Sequence, residues 1–210
     1  MRHRLLAAVL ATTALAAWHA PAQAQDPRLA RRLPDEVRIP IEALIDSARA
    51  RALPAEPLVD RALEGAAKGA GGERIVAAVR RLAGELGVAR DALGSGSTSA
   101  ELVAGAAALR AGARSDDLRH LRQRRPDRPV TVAAGVLADL VAVGVPPDTA
   151  AAAVLALAGR GEDADYIAFR RNVERDVALG ATPTAALTVR LTGETLSSGD
   201  APGPTRARKP

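Results

Sequence analysis

The sequence predicts an all-α protein built of stacked antiparallel helical hairpins, about nine helices with no sheet, as a repeat-like array or an irregular bundle. Three observations lead there. Alanine, the strongest helix former, supplies 49 of 210 residues, while Trp18, Tyr166 and Phe169 are the only aromatic residues. Strands favour β-branched and aromatic side chains, so most all-β folds are excluded. Between residues 40 and 191 apolar residues recur at helical spacing and no segment alternates as a strand would. Finally, four short segments have one form, an apolar helix stopping at glycine, then a small apolar residue and a capping or proline residue. They centre on Gly69, Gly112, Gly144 and Gly180, separated by 43, 32 and 36 residues, about the length of a two-helix unit.

Residues 1–24 have the form of a secretory signal. Arg2 and Arg4 precede an apolar run from Leu5 to Ala17, and Ala22-Gln23-Ala24 is a small-x-small cleavage site, with the cut expected after Ala24. The run is too short for a membrane span. Loss of this segment leaves a net charge of +3 and a single histidine, His120. There is no cysteine, which excludes disulfides, thiolate metal sites, a cysteine nucleophile and a lipid-modified cysteine. Twenty-seven arginines against two lysines suggest a GC-rich bacterial genome. The expected location is periplasmic or secreted.

Residues 25–39, with Pro27 and Pro34 and few apolar residues, are expected to form a flexible lead-in. A half unit follows at 41–53, then hairpins at 57–92, 99–125, 130–159 and 163–191. At each turn, glycine takes the left-handed conformation that closes the last helical turn, and the next apolar residue packs back, as Val145 is expected to do on Leu140. Ser115 and Thr182 are placed to cap the following helix. Pro147 and Pro183 suit its first turn, and Glu73, Asp116 and Asp148 put negative charge at its positive end. The loop Gly94–Ser99 ends in Thr98, with Glu101 at capping-box spacing. Ile75, Val79, Leu82 and Leu86 form one core stripe, and Tyr166, Phe169, Val173 and Val177 another. Hairpin 130–159 has only Asp139 and Asp148 as charges between its ends, so it belongs inside the body, flanked on both sides. Residues 192–210, rich in proline and glycine and carrying Arg206, Arg208 and Lys209, read as a disordered basic tail.

Groups suited to catalysis are scarce, and the chain is expected to be no enzyme, with no cofactor and no metal. His120 lies near Ser115 and Asp116 but lacks a nucleophile elbow. Glu162, Asp163 and Asp165 lack the glycine and distal glutamate of a calcium loop and read as helix-start residues. Gly69-Ala70-Gly71-Gly72 follows a helix and has no Gly-Lys-Ser/Thr ending, so it is no phosphate cradle. The remaining candidate is electrostatic. Arg119, Arg122, Arg124, Arg125 and Arg128 lie within ten residues, a pattern suited to carboxylate or phosphate groups. With no aromatic residue nearby to stack bases, nucleic acid is not an expected partner.

At Gly144-Val145-Pro146-Pro147, taken with the signal and the Ala-rich hairpins, the chain resembles exported Ala- and Arg-rich helical-hairpin proteins of GC-rich bacteria. The resemblance covers most of residues 40–191. It implies the all-helical fold and transfers no catalytic residue; the Trp, Gly, Tyr and Phe signature of tetratricopeptide repeats is absent. The function expected is a non-enzymatic scaffold or adaptor binding another cell-envelope protein. The alternative is peripheral attachment to anionic lipid or envelope polymer through Arg119–Arg128.

Overall fold

A computed structural model describes residues 26–197, and the expected signal at 1–24 and the tail beyond Ser197 lie outside those residues. The described residues form ten α-helices and no strand. The helices are α1 (Pro27–Arg32), α2 (Asp35–Ala50), α3 (Glu56–Ala67), α4 (Gly72–Leu93), α5 (Ser99–Ala111), α6 (Ser115–Arg124), α7 (Thr131–Ala142), α8 (Pro147–Ala158), α9 (Asp163–Ala178) and α10 (Pro183–Ser197). Consecutive helices pack as hairpins in α1–α2, α3–α4, α7–α8 and α9–α10, while α5 and α6 follow one another in the chain but pack on other helices, α5 on α4 and α7 and α6 on α4 and α8. The even-numbered helices pack in order, α2 on α4, α4 on α6, α6 on α8 and α8 on α10. In the other layer α1 packs on α3, α5 on α7 and α7 on α9. The two stripes expected to face the core do so, with Ile75, Val79, Leu82, Leu86, Tyr166, Phe169 and Val173 buried. Hairpin α7–α8 is flanked on both sides, as its scarcity of charge requires.

Two expectations are corrected. The expected flexible lead-in at 25–39 is not seen over its described part, because residues 26–39 hold α1 and the start of α2, and α2 is the second arm of a hairpin where a lone half unit was expected. Few apolar residues suffice there because Leu29, Leu33, Val37 and Ile41 are all buried. Asp26 accepts the Arg28 N–H at 2.9 Å and caps α1, while Pro27 occupies its first turn, where no amide donor is needed. Pro40 lies within α2 and starts nothing. Likewise the tail does not begin at 192, since α10 continues to Ser197.

The four glycine turns share one hydrogen-bond pattern. Gly144 N donates to Val141 O at 2.9 Å and Val145 N to Leu140 O at 3.0 Å, and the same pair of bonds closes the helices at Gly69, Gly112 and Gly180. Gly144 has φ 99° and Gly112 φ 114°, so a side chain at either is strained. These two also carry the stack from hairpin to hairpin, because a Cβ on Gly112 would meet the Pro147 ring at 3.0 Å and one on Gly144 the Pro183 ring at 3.2 Å. Ser115 is the first residue of α6 and not its cap; Asp117 performs that task, accepting Arg114 N at 2.8 Å.

The same closing pattern ends α2 with an alanine, Ala52, at φ 53°. Left-handed backbone costs an L residue about 1–2 kcal/mol, and glycine avoids most of it. Ala52→Gly is therefore expected to stabilise the protein by about 1 kcal/mol and to raise Tm by about 2–4 °C in a circular dichroism melt. A lower Tm would show that the αL strain is not what governs this position.

Candidate functional site

The arginine cluster sits where α6 ends and the chain crosses to the next hairpin. Of its five arginines only Arg125 is buried; Arg122 and Arg128 are half-buried, and Arg119 and Arg124 are exposed. Arg125 is 2% exposed: its Nε donates to Pro129 O at 3.2 Å, Nη1 to Gly161 O at 2.7 Å and Nη2 to Asp163 Oδ1 at 2.8 Å. The guanidinium also lies 5.2 Å from the Tyr166 ring centroid. Arg122 donates to the carbonyls of Arg125 and Arg128 and pairs with Glu101. Arg128 reaches Gly161 O and Glu162, Arg124 reaches Leu155 O, and Arg119 pairs with Asp116. All five expected anion contacts thus have an acceptor within the protein, Arg125 in the interior and Arg119 and Arg124 at the surface. The cluster fastens helices α5 and α6 to the two hairpins that follow them, because the planar fork of arginine reaches several carbonyls at once.

Glu101 is the acidic counterpart of this junction. Its carboxylate accepts Thr98 N at 2.9 Å and Val130 N at 3.0 Å besides pairing with Arg122, while Thr98 Oγ1 accepts Glu101 N at 3.2 Å, completing the expected capping box. Burial works to raise its pKa, but the bonds from Thr98, Val130 and Arg122 together hold it below the ordinary glutamate value. Of the acidic trio, Asp165 accepts Glu162 N at 2.7 Å as a helix cap, and Asp163 and Glu162 pair with Arg125 and Arg128. His120 is exposed on α6, and Asp116 beside it is paired with Arg119. The four turn glycines close helices and bring no reactive group together.

A feature that sequence reasoning missed lies in the odd-numbered layer. There α5 packs on α7 and α4, but α3 does not pack on α5 as α5 packs on α7. The space left is a groove of about 750 Å3. Its floor is the side of α5 bearing Ala100, Val103, Ala104 and Ala107, with Pro57 and Asp60 of α3 on one bank and Gly135 of α7 on the other. Val103 is 40% exposed there, and small side chains let another backbone come close. The signal was present in Ser99–Ala111, whose only charges are Glu101 and Arg110; a helix apolar on nearly every side needs cover on nearly every side. On the rim Glu56 is held by Arg28 at 2.6 Å, while Asp60 has no cationic partner among the described residues.

Among the described residues no three His, Cys, Asp or Glu side chains are grouped so as to hold a metal ion, and no helix is long and apolar enough to cross a membrane. Comparison with protein-family models, with curated proteins and with solved structures gives no match.

Proposed function

We propose that this protein is an exported, non-enzymatic helical adaptor that holds another cell-envelope protein in the groove between α3, α5 and α7. The observation that carries the reading is the groove itself, an apolar trough along α5 at the one place where neighbouring helices of that layer stand apart. The small apolar side chains Ala100, Val103, Ala104 and Ala107 on its floor suit the close approach of an amphipathic helix. Unpartnered Asp60 favours a lysine or arginine on the rim of that helix. Attachment to anionic lipid or polymer through Arg119–Arg128 has less support, because each of these guanidinium groups already has an internal acceptor.

The test places a photo-crosslinking amino acid at Val103 in cells, with exposed Ala152 on α8 as the control position. The expected result is one protein adduct enriched about tenfold at Val103 over Ala152, and lost when Ala104→Arg fills the groove. Equal labelling at both positions, or an adduct indifferent to Ala104→Arg, overturns the reading.

A further inference from the structure

A second cavity, of about 610 Å3, opens where α4 and α6 stop and α5 and α7 start, between the loops at 94–98 and 125–130. It meets the α3–α5–α7 groove at Thr131, and carries polar side chains where the groove floor carries alanines. The ion pairs in its walls are already made. Glu101 accepts from Thr98, Val130 and Arg122, Arg122 also donates to the carbonyls of Arg125 and Arg128, and Arg128 pairs with Glu162. Ser97, Thr131 and Asp127 are different. Ser97 is 9% exposed, and its Oγ is buried with no hydrogen-bond partner. The start of α5 does not need that hydroxyl, because Thr98 supplies the cap. In the same walls the Thr131 hydroxyl and the Asp127 carboxylate have no partner among the described residues, and α7 begins there with no side-chain cap. A buried hydroxyl left unpaired costs stability and calls for an explanation.

We propose that this cavity binds a small uncharged polyol, a saccharide unit, through Ser97, Thr131 and Asp127. Its volume lies within the range of small-molecule sites, about 300–1,000 Å3. The charges in its walls argue against an ion. An anion entering would meet Glu101 and Asp127, and a cation would meet Arg122 and Arg128, so either disturbs pairs that the fold has already made. The groups left over are two hydroxyls, the uncapped amides of α7 and one carboxylate, which together ask for donors and acceptors at once. A sugar hydroxyl is both, and a carboxylate such as Asp127 can accept from two neighbouring hydroxyls. Leu93, Pro126 and Pro129 offer aliphatic surface to the carbon face of a sugar ring. No aromatic ring lies in the walls for it to stack on, so affinity depends on hydrogen bonds and is expected in the millimolar range.

Amide chemical shifts of the isotope-labelled chain, purified as the cell processes it, test this during titration with glucose, galactose and N-acetylglucosamine to about 50 mM. Sodium phosphate, glutamate and lysine serve as ionic probes. Saturable shifts at Ser97, Thr131 and Val132 are expected with at least one sugar, with Kd about 1–10 mM. Asp127→Asn and Thr131→Val should each weaken binding about fivefold, and Ser97→Ala at least about tenfold. Ser97→Ala should at the same time leave Tm unchanged or raise it, because the hydroxyl has no partner in the free protein. No shift at these amides with any of the three sugars, tighter binding of an ionic probe, or sugar binding indifferent to the variants would each overturn the proposal. A Tm lowered by more than about 2 °C in Ser97→Ala would also overturn it, by showing that the hydroxyl serves the fold through a bound water.

Discussion

Arg125→Ala is expected to destabilise the fold by about 3 kcal/mol and to lower Tm by about 6–12 °C. Arg125 is among the largest fully buried side chains, and it bonds the carbonyls of Pro129 and Gly161 and the carboxylate of Asp163. Alanine leaves a cavity against Tyr166 and removes donors from acceptors that the fold has drawn together. Asp163 itself is 43% exposed and regains water, which keeps the cost below that of stranding a buried charge. Lysine is expected to recover only part of the loss, because one ammonium does not span acceptors on three sides. Arg124→Ala, by contrast, removes one exposed bond to Leu155 O and should stay within about 0.5 kcal/mol. Thermal melts followed by far-UV circular dichroism decide the matter. An Arg125→Ala protein melting within about 1 °C of the parent would show that the junction does not hold the hairpins together. Reversing Arg122, Arg124 and Arg125 to glutamate together consequently reports on folding, and tells nothing of an anionic partner.

The parts of this fold that could be read from sequence are those determined within a few residues. The turns at Gly69, Gly112, Gly144 and Gly180 depend on a left-handed residue and a local pair of backbone bonds, and the hairpins expected at 57–92, 99–125, 130–159 and 163–191 fall close to α3–α4, α5–α6, α7–α8 and α9–α10. The first hairpin escaped because Pro27, Pro34 and Pro40 suggested breaks. Pro27 starts a helix, Pro34 precedes one, and Pro40 is accommodated inside α2. The arginine cluster was recognisable as a cluster but not as a buried junction. The same residues make an exposed patch or an internal clamp, and the acceptors that decide, Gly161 O and Asp163, lie 36 and 38 residues further along the chain. The groove was the least legible, for it exists because α3 stands away from α5, a tertiary fact with no local signal beyond the apolar character of Ser99–Ala111.

Glu101→Gln is expected to cost about 3 kcal/mol at neutral pH, and its cost is expected to shrink in acid. The side chain is 6% exposed, and its two oxygens serve Thr98 N, Val130 N and Arg122, all of which donate. A glutamine amide replaces one acceptor with a donor, setting N–H against N–H at the start of α5 or at the Arg122 contact, and it removes the charge that Arg122 balances. The pH dependence follows from the direction of the pKa. Glu101 in the fold lies below the ordinary value of 4.5, so near that pH the unfolded chain holds more protons at this position than the folded one. Its contribution is complete above about pH 4.5 and is lost as pH falls through the lowered folded value. Asp26, Glu56, Glu64 and Asp176 also have lowered pKa values, so the parent melts lower in acid for several reasons. The difference between parent and Glu101→Gln isolates this one carboxylate. Melts at pH 7, 5, 4 and 3 should show a gap that is constant from 7 to 5 and narrows below about 4.5. A gap of the same size at pH 3 would mean that Glu101 acts through its shape alone, and that its charge does not help to hold α5 to the start of α7.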